Sequence, residues 1–473
     1  MDRPNPLARS TKIIATLGPS SRDRDVVHAM VDAGMDVARI NFSHVTDADE
    51  VHRMVAIVRD CAQQLDRPVA VLGDLCGPKM RLRNVPGGAV DLTTGDRFLL
   101  YPVGVTPPAD HVPAFAVSIP TLCEDCRPGH RVLVADGTVV GEIESVQATS
   151  VQVRVTTGGP VLERKGVNLP DTQLQGAALT AKDRADIATG VDAGIDVFAL
   201  SFTRTASDVD QLRAMLPEHT PVIAKIERPE ALGNFTAICE SADGVMVARG
   251  DLGVEVGWEA LPGLQMDLVA EASDRGRLSV VATEMLESMT HAARPTRAEV
   301  ADVASAVMDG ASAVMLSAET ASGADPVLVV RTMGSILAGI EAHTRYRSRN
   351  VGQRLGPKAH HRPAAIAAAA THLARDIDAA AIVAIASTGA AARMISSARP
   401  PVPVVALCQH PEVARHLALW WGVHPHHVPP GRIPDDRIRA LVRASSPATP
   451  GPVVIVSGSI GGSYSDRLRI LDV

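Results

Sequence analysis

Polar and charged side chains follow most of the short apolar segments of this sequence. They include three cations, several carboxylates and a few amide or hydroxyl groups: Arg39, Asn41, Ser43, His44, Asp74, Lys225, Glu227, Arg249, Asp251, Thr283, Glu284, Ser317 and Glu319. Gly250 adds a bare backbone between Arg249 and Asp251. Arg and Lys neutralise phosphoryl oxygens. Mg²⁺ usually takes one or two carboxylates together with substrate phosphates. The set therefore predicts a Mg²⁺ site for a phosphorylated or carboxylated substrate.

The spacing of these residues suits strands. In "GMDVARINFSH", residues 34–44, Arg39, Asn41 and Ser43 alternate with apolar residues. Successive side chains of a strand point to opposite faces, so these three share one face. Lys225 and Glu227 are also two residues apart and share a face. Bare N–H groups at Gly250 and Asp251 could approach a carboxylate closely.

A barrel would bring such strand ends together. Eight short, largely β-branched segments start near residues 11, 34, 68, 195, 221, 244, 278 and 311, and most are separated by segments of helical period. The segments "AGMDVARINFS" and "AGIDVFALSFT" resemble copies of each other. The pattern predicts an α/β fold, a (β/α)8 TIM barrel, whose chemistry lies where strands end and βα-loops begin.

Two further domains are expected. Residues 81–177 are alternating and rich in turn residues, which predicts an all-β lid domain inserted in a barrel loop. The barrel would then comprise residues 1–80 and 178–345. Residues 346–473 start with a polar linker and predict a C-terminal α/β domain.

Composition narrows the class of protein. The chain has 473 residues, which is too long for one core, and a formal charge of −7 without a basic block. We therefore expect no nucleic-acid or membrane partner. The apolar runs are too short to span a bilayer, the N-terminus lacks a signal-peptide core, and six cysteines favour reduced thiols in a cytoplasmic protein.

A series of motifs resembles the pyruvate kinase family in order and spacing. They cover most of the chain from residue 11 to about 335: "TKIIATLGPSS", "GMDVARINFSH", "GDLCGPKMRLR", "KGVNLP", "LSFTRTASDV", "KIE", "GVMVARGDLGVE", "ATEMLESM" and "PTRAEVADVASAVMDGASAVMLSAETA". The resemblance implies phosphoryl transfer from phosphoenolpyruvate to ADP, giving pyruvate and ATP in the last step of glycolysis.

The resemblance also implies residue roles. Glu227 and Asp251 would bind Mg²⁺ (or Mn²⁺), and Lys225 would stabilise the phosphoryl group in transfer. Arg39 would bind the substrate phosphate, and Gly250, Asp251 and Thr283 would bind its carboxylate. Thr283, through water, is the candidate for protonating the enolate. The nucleotide side would be formed by the remaining motif residues: Asn41, Phe42, Ser43, His44, Arg81 and Lys165, with Arg164 as an alternative to Lys165.

One motif departs from the family pattern. The third-strand motif usually reads Asp-Thr-Lys-Gly-Pro-Glu, but here it runs from Asp74 to Lys79. In the Glu form, K⁺ binds near the oxygens that correspond to Asn41, Ser43 and Asp74. A Lys ammonium carries the same charge on a tether. The resemblance thus implies an enzyme that does not require K⁺. The alternative is a solvated Lys79.

Other expectations come only by analogy. The family is mostly homotetrameric, and many members bind a phosphorylated allosteric effector at the position of "STGAAARM", residues 387–394, where ordinary connecting turns are the alternative. Two other functions stay open: a different Mg²⁺-dependent, enolate-forming barrel enzyme such as a lyase or aldolase, and a non-catalytic regulatory paralogue. Retained Arg81 and the inserted domain disfavour the first, and intact Lys225, Glu227, Asp251 and Thr283 disfavour the second.

Overall fold

The structure is a computed structural model. It describes the following residues: 9–106, 112–135, 137–173, 175–350, 362–431, 433–445, 451–458 and 465–472. Part of the predicted linker after residue 345, residues 351–361, lies outside the described residues. None of the described helices is long and apolar enough to cross a membrane.

The chain starts with three parallel strands and two helices. They are β1 (Lys12–Thr16), α1 (Arg24–Ala33), β2 (Val37–Asn41), α2 (Ala48–Gln64) and β3 (Ala70–Asp74). In α2, the Asp47 side chain accepts a hydrogen bond from the Asp49 N–H at the helix start. Val51, Val55 and Val58 lie on its buried face, which packs on the barrel. Helical period and capping thus explain this element together.

A mainly antiparallel domain is inserted after β3. Its elements are β4 (Leu82–Arg83), a 3₁₀ turn (Pro86–Gly88), β5 (Ala89–Leu92), β6 (Arg97–Pro102), β7 (Ala114–Val117), α3 (Leu122–Asp125), β8 (Arg131–Val134), β9 (Val139–Val146), β10 (Val151–Thr157), β11 (Gly159–Leu162) and β12 (Val167–Asn168). Seven strands form one sheet in the order β12-β8-β9-β10-β6-β7-β4, and β5 pairs with β11. Buried and partly exposed residues alternate along β10, as expected for a sheet with one covered face.

The chain then returns to complete the barrel. The elements are α4 (Ala181–Ala193), β13 (Val197–Leu200), α5 (Ala206–Arg213), β14 (Val222–Ile226), α6 (Pro229–Gly233), α7 (Phe235–Ser241), β15 (Gly244–Ala248), α8 (Arg249–Val256), α9 (Leu261–Asp274), β16 (Leu278–Ala282), a 3₁₀ turn (Glu287–Thr290), α10 (Arg297–Asp309), β17 (Ala313–Leu316), α11 (Ala318–Ala321), α12 (Pro326–Glu341) and α13 (Thr344–Asn350). The strands close in the order β1-β17-β16-β15-β14-β13-β3-β2. The predicted eight-stranded barrel is confirmed.

The last described part is an α/β domain. Its elements are α14 (Arg362–Asp376), β18 (Ala381–Ala386), α15 (Ala390–Ser397), β19 (Val404–Cys408), α16 (Pro411–Leu417), β20 (Val423–His427), α17 (Asp435–Ser445), β21 (Val453–Gly458) and β22 (Ser465–Leu471). It packs against the amino-terminal end of the barrel, where the Lys12 ammonium donates to the Val423 carbonyl at 2.7 Å. The opposite end of the barrel, at the carboxyl ends of the strands, faces the inserted domain.

Candidate active site

The ends of three barrel strands, β2, β3 and β14, hold a buried cluster of charged side chains. Arg39 of β2 contacts Asp74 of β3 through Nε at 2.8 Å and through a terminal nitrogen at 2.7 Å. Lys225 of β14 lies 3.2 Å from the other Asp74 oxygen and 2.9 Å from Glu227. Asp74 and Glu227 are each 1% exposed. The strand register thus brings Arg39 and Asp74 together with Lys225 and Glu227, which lie about 150 residues further along the sequence.

Two members of this cluster were not foreseen from the sequence. The Ser201 hydroxyl, just after β13, accepts a hydrogen bond from Lys225 at 2.8 Å. The Thr16 hydroxyl at the end of β1 accepts one from Arg39 at 2.8 Å. A signal for Ser201 exists, because in the two similar segments it occupies the place of Asn41. Thr16 carries no such signal, since it is simply the last residue of its strand.

The pKa values of the two buried carboxylates in the cluster shift in opposite directions. Burial alone would raise the pKa of Asp74, but Lys225 and Arg39 lower it below its ordinary value. Burial raises the pKa of Glu227, the Lys225 ammonium opposes this shift, and the Asp251 carboxylate adds to it. Burial disfavours the ammonium of Lys225, yet Asp74 and Glu227 together raise its pKa. Lys225 is therefore a firmly protonated cation, and Glu227 and Asp251 feel each other's charge.

Asp251 lies in the first turn of α8, which follows β15 directly. The N–H of Gly250, one residue before it, donates to the Thr283 hydroxyl at 2.8 Å. Thr283 has a positive φ of 72°, which is rare for a β-branched residue. Its carbonyl accepts a hydrogen bond from Arg249 at 2.7 Å, and Asp302 holds Arg249 at 2.7 Å. Arg249 thus secures an unusual backbone conformation that points the Thr283 hydroxyl at the start of α8.

Three polar residues at strand ends have structural roles instead. Arg249 lies behind Thr283, as described. Glu319 accepts hydrogen bonds from the N–H of Ser317 at 2.6 Å and of Leu286 at 3.1 Å. The Glu319 contacts join neighbouring βα-loops. Because Arg249 supports the backbone of Thr283, only two of the three cations expected at this rim, Arg39 and Lys225, belong to the buried cluster.

The donor chemistry fits a divalent metal ion. Within the described residues, no group of three or more His, Cys, Asp or Glu side chains could hold a metal ion. Glu227 and Asp251 supply two carboxylates within electrostatic range of each other. Mg²⁺ typically uses one or two carboxylates and completes its shell with water and phosphate oxygens. The pair therefore suits Mg²⁺ bound together with a phosphorylated substrate.

The residues expected at the nucleotide side differ in exposure. Asn41 accepts hydrogen bonds from the Ser43 N–H at 3.1 Å and hydroxyl at 2.6 Å, and His44 is exposed. The Phe42 ring is fully buried in the core beside Gly73. A nucleotide contact by the Phe42 side chain is therefore not supported, because the alternation of the strand turns it away from the loop surface. Its carbonyl instead accepts a hydrogen bond from Lys182 at 2.8 Å.

Arg81 and Lys165 lie next to each other at the edge of the inserted domain. Arg81 forms an isolated bridge with Gly166, and its guanidinium donates to the Arg164 carbonyl at 3.1 Å. The Lys165 carbonyl accepts from the Leu82 N–H at 2.9 Å, and its side chain is exposed. The structure thus pairs two residues that are 84 positions apart in the sequence, on the domain that faces the barrel.

Lys79 lies elsewhere than expected. Its ammonium contacts Asp251 at 2.9 Å, and the described residues show no hydrogen bond from it to Asn41, Ser43 or Asp74. The physical reason is its position in residues 75–81, which lead out to the inserted domain and pass the start of α8. Lys79 is therefore a counter-ion of a candidate metal ligand in this structure, and neither a solvated side chain nor a member of the expected oxygen cage.

A cavity of about 110 Å³ separates the inserted domain from the barrel beside Asp251. Arg228 lines it and donates to Glu255 of α8 at 3.2 Å and to the Thr172 carbonyl at 3.1 Å. Asn168 of β12 donates to Glu255 at 2.8 Å. Both connections between the two domains therefore reach the same short helix, one at Asp251 and the other at Glu255.

Fold and site together define an α/β barrel with a buried cluster of charged side chains at the end that faces an inserted domain. The comparisons with known proteins agree. Residues 8–330 match the family model "Pyruvate kinase, barrel domain", and residues 364–471 match "Pyruvate kinase, alpha/beta domain". The chain belongs to the pyruvate kinase family and is a phosphotransferase.

Individual relatives cover nearly the whole chain. A pyruvate kinase of Geobacillus stearothermophilus is 38% identical over 99% of this chain and 80% of its own length. One from Mycobacterium tuberculosis is 38% identical over 97% of this chain and 96% of its own. The crystal structure of a pyruvate kinase from Cryptosporidium parvum superposes with a TM-score of 0.90 at 31% identity, covering 99% of this chain and 97% of its own.

Proposed function

We propose that this protein transfers the phosphoryl group of phosphoenolpyruvate to ADP and so forms pyruvate and ATP. The observation that carries the proposal is the buried Lys225 ammonium at the barrel rim, held between Asp74 and Glu227. Phosphoryl transfer requires positioning and charge compensation more than covalent work by the protein. A fixed cation next to candidate metal ligands meets that requirement.

The metal would be held by Glu227 and Asp251. Bound there, Mg²⁺ or Mn²⁺ supplies positive charge to the phosphoryl oxygens and to the enolate oxygen left after transfer. Lys225 stabilises the same developing charge, because its ammonium is protonated and desolvated. Ser201 orients that ammonium by accepting one of its hydrogen bonds.

Arg39 binds the substrate phosphate. A guanidinium has five N–H donors. Asp74 takes two of them and Thr16 takes one, which leaves two for phosphate oxygens. Because Asp74 and Thr16 fix the plane of the guanidinium, the two remaining donors face a defined direction. This arrangement supports a bidentate contact.

The substrate carboxylate and the final proton involve the start of α8. The Asp251 N–H can donate to a carboxylate there. The Gly250 N–H and the Thr283 hydroxyl would join it by leaving their present acceptors, the Thr283 hydroxyl and the Ala282 carbonyl. Thr283 is also the residue that we propose to deliver a proton, through water, to C3 of the enolate. On the nucleotide side we propose Asn41, Ser43, His44, Arg81 and Lys165, with the inserted domain closing over the site to exclude water.

A coupled assay tests the proposal. The purified protein is incubated with phosphoenolpyruvate, ADP and MgCl₂, and pyruvate is followed through lactate dehydrogenase and NADH. We expect turnover that depends on all three components. Release of pyruvate without ADP would instead indicate a lyase or hydrolase. No pyruvate formation with or without ADP would indicate a regulatory paralogue.

We further propose that catalysis does not require K⁺. The support is that Lys79, at a motif position where the family pattern usually has Glu, brings a tethered ammonium to Asp251 at 2.9 Å. Turnover in buffers of tetramethylammonium salts, free of K⁺ and NH₄⁺, should change little when KCl replaces the salt at equal ionic strength. A large stimulation by KCl would contradict this. The Lys79→Glu variant should gain such a stimulation.

Three broader features complete the proposal. We infer a homotetramer by analogy with the family. The loop before α15 could bind a phosphorylated effector through the free N–H groups of the helix start, where Arg393 also donates to the Thr388 carbonyl at 3.2 Å. The six cysteines are free thiols, which supports a reducing, cytoplasmic compartment.

A further inference from the structure

The contact between Lys79 and Asp251 joins the inserted domain to the candidate metal site. The 2.9 Å ion pair is only partly shielded, with 30% of the Lys79 side chain and 23% of the Asp251 side chain exposed. Lys79 belongs to residues 75–81, here called the outgoing connection, which run from β3 to β4. Asp251 belongs to the first turn of α8. The pair therefore ties the path of the outgoing connection to a carboxylate that a metal would use.

A divalent cation and Lys79 compete for that carboxylate. The ammonium already occupies Oδ1 of Asp251. Two like charges on one carboxylate repel each other strongly at the effective dielectric of a partly buried site. A metal ion that binds Asp251 must therefore displace the ammonium or accept a weakened bond to the carboxylate.

The other contact between α8 and the inserted domain, at Glu255, has no accessible counter-ion that a metal could displace. Glu255 lies four residues after Asp251 and on the same side of α8, and Arg228 holds it at 3.2 Å. The Arg228 and Glu255 side chains are 5% and 1% exposed. Arg228 also binds the Thr172 carbonyl in residues 169–180, the returning connection from β12 to α4. At α8 the returning connection is thus held by a buried pair and the outgoing one by an accessible pair. The rest of the outgoing connection is held by other bonds, since the Leu75 N–H donates to the Ala199 carbonyl at 3.0 Å and the Gly77 N–H to buried Asp183 at 3.0 Å.

We propose that Lys79 is a resident counter-ion of Asp251 that the divalent metal displaces, so that metal binding frees the backbone around Lys79 from α8 while the returning connection stays anchored. The displaced ammonium then becomes available as the tethered monovalent cation. This inference rests on the proposed role of Asp251 as a metal ligand. In this proposal, Lys79 lowers the affinity of Asp251 for the metal and, without metal, ties the outgoing connection to α8.

Direct binding of Mn²⁺ alone tests the competition. Free Mn²⁺ is measured by electron paramagnetic resonance during titration of the full-length protein without substrates. Lys79→Met should bind Mn²⁺ about fivefold more tightly, the factor expected for loss of a partly exposed ion pair of ~1 kcal/mol. Lys79→Arg should stay near the wild type. Lys182→Met, which removes an exposed cation paired with Asp186, is the matched control and should bind unchanged.

Asp251→Asn separates the two proposals. If this variant loses Mn²⁺ binding while Lys79→Met binds like the wild type, the ligand role stands and the competition is refuted. If Asp251→Asn binds Mn²⁺ normally, the ligand role and the inference both fail. An equal gain of affinity in Lys79→Met and Lys182→Met would assign the effect to overall charge and would also refute the inference.

Hydrogen–deuterium exchange tests the release. In the wild type, Mn²⁺ should speed exchange of the amides of Lys79 and Met80 and leave those of Leu75 and Gly77, which have other acceptors, and of residues 169–173 unchanged. In Lys79→Met, residues 79 and 80 should exchange fast without metal. Unchanged exchange of Lys79 and Met80 in the wild type on metal binding would overturn the proposed release.

Discussion

The two ends of the barrel both bury Arg, Lys and carboxylate side chains, but they use them differently. At the amino-terminal end, Asp36 accepts hydrogen bonds from the N–H of Ile13 at 2.8 Å and pairs with Arg9 and Arg67 at 2.8 Å each. These partners come from neighbouring structural elements. At the carboxyl end, Asp251 has an accessible counter-ion next to a cavity.

The difference lies in what surrounds the charges. The segment "AGIDVFALSFT", which resembles the segment around Asp36, shows the same arrangement at the amino-terminal end. Its Asp196 accepts a hydrogen bond from the Val71 N–H and pairs with Arg59 and Arg415 at 2.7 Å each. Its Arg415 comes from the C-terminal domain. One end therefore uses buried charge to join elements, and the other end keeps charge where a ligand can replace a partner. In barrels of this type, conserved chemistry belongs to the carboxyl end and stability to the other.

The largest expected effect comes from removing the central cation of the carboxyl end. Lys225→Met should lower turnover of phosphoenolpyruvate and ADP by about 10³-fold or more, because Arg39, which is fixed by Asp74 and Thr16, cannot take the place of the central ammonium. The fold should persist, since Asp74 keeps Arg39 and Glu227, whose pKa is already raised, can take up a proton. Turnover is measured by the coupled assay and folding by circular dichroism.

Arg24→Met is the control for this variant. It removes an exposed cation at the start of α1, paired with Asp60 at 2.7 Å, and should keep near-normal turnover. Full activity in Lys225→Met would remove the proposed mechanism, whatever the control shows.

The matching change at the amino-terminal end should affect stability instead. Asp36→Asn leaves the buried Arg9 and Arg67 without their carboxylate, which we expect to cost about 3–5 kcal/mol in the free energy of unfolding. Turnover per folded molecule should stay near the wild-type value. Urea unfolding and the coupled assay on the same samples measure both. A loss of turnover at unchanged stability would mean that the two ends are not functionally separate.

The sequence predicts the parts of this contrast that depend on residues close together in the chain, and not those that depend on partners from distant segments. Apolar runs with polar ends predict the strands, and the alternation around Arg39 and the Lys225–Glu227 spacing predict which side chains share a face. The partner of Lys79 could not be predicted, because it depends on the path of a connection between two domains. Ser201 was predictable only through the repeat, and burial of Phe42 through the same alternation that exposes its neighbours.

A smaller effect should follow from removing the hydroxyl of Thr283. Thr283→Val keeps the side-chain shape but loses the acceptor for the Gly250 N–H and a donor for a substrate carboxylate. We expect a loss in turnover of about 10- to 100-fold, the range for a hydrogen bond to a charged group. Thr283→Ser, which keeps the hydroxyl, should stay close to the wild type. Equal losses in both variants would indicate that the backbone conformation matters and not the hydroxyl.

The smallest effect concerns Lys12, a buried cation beside Asp36. Burial lowers its pKa from the ordinary 10.5 to about 8, although Asp36 opposes the shift. Below pH 8 both folded and unfolded chains carry the proton, so the cost of burying the charge is fully present. Between pH 8 and 10.5 the unfolded chain binds more protons than the folded one, so this residue's contribution to stability rises with pH.

Comparison with Lys12→Met isolates this contribution. The variant has no charge to bury but loses the hydrogen bond to the Val423 carbonyl. Its stability relative to the wild type should fall by about 2 kcal/mol between pH 7 and pH 10. Urea unfolding at pH 7, 8.5 and 10 measures the difference. A difference independent of pH would show that Lys12 stays protonated throughout, and the amino-terminal cluster would then hold one more permanent charge than this comparison assigns to it.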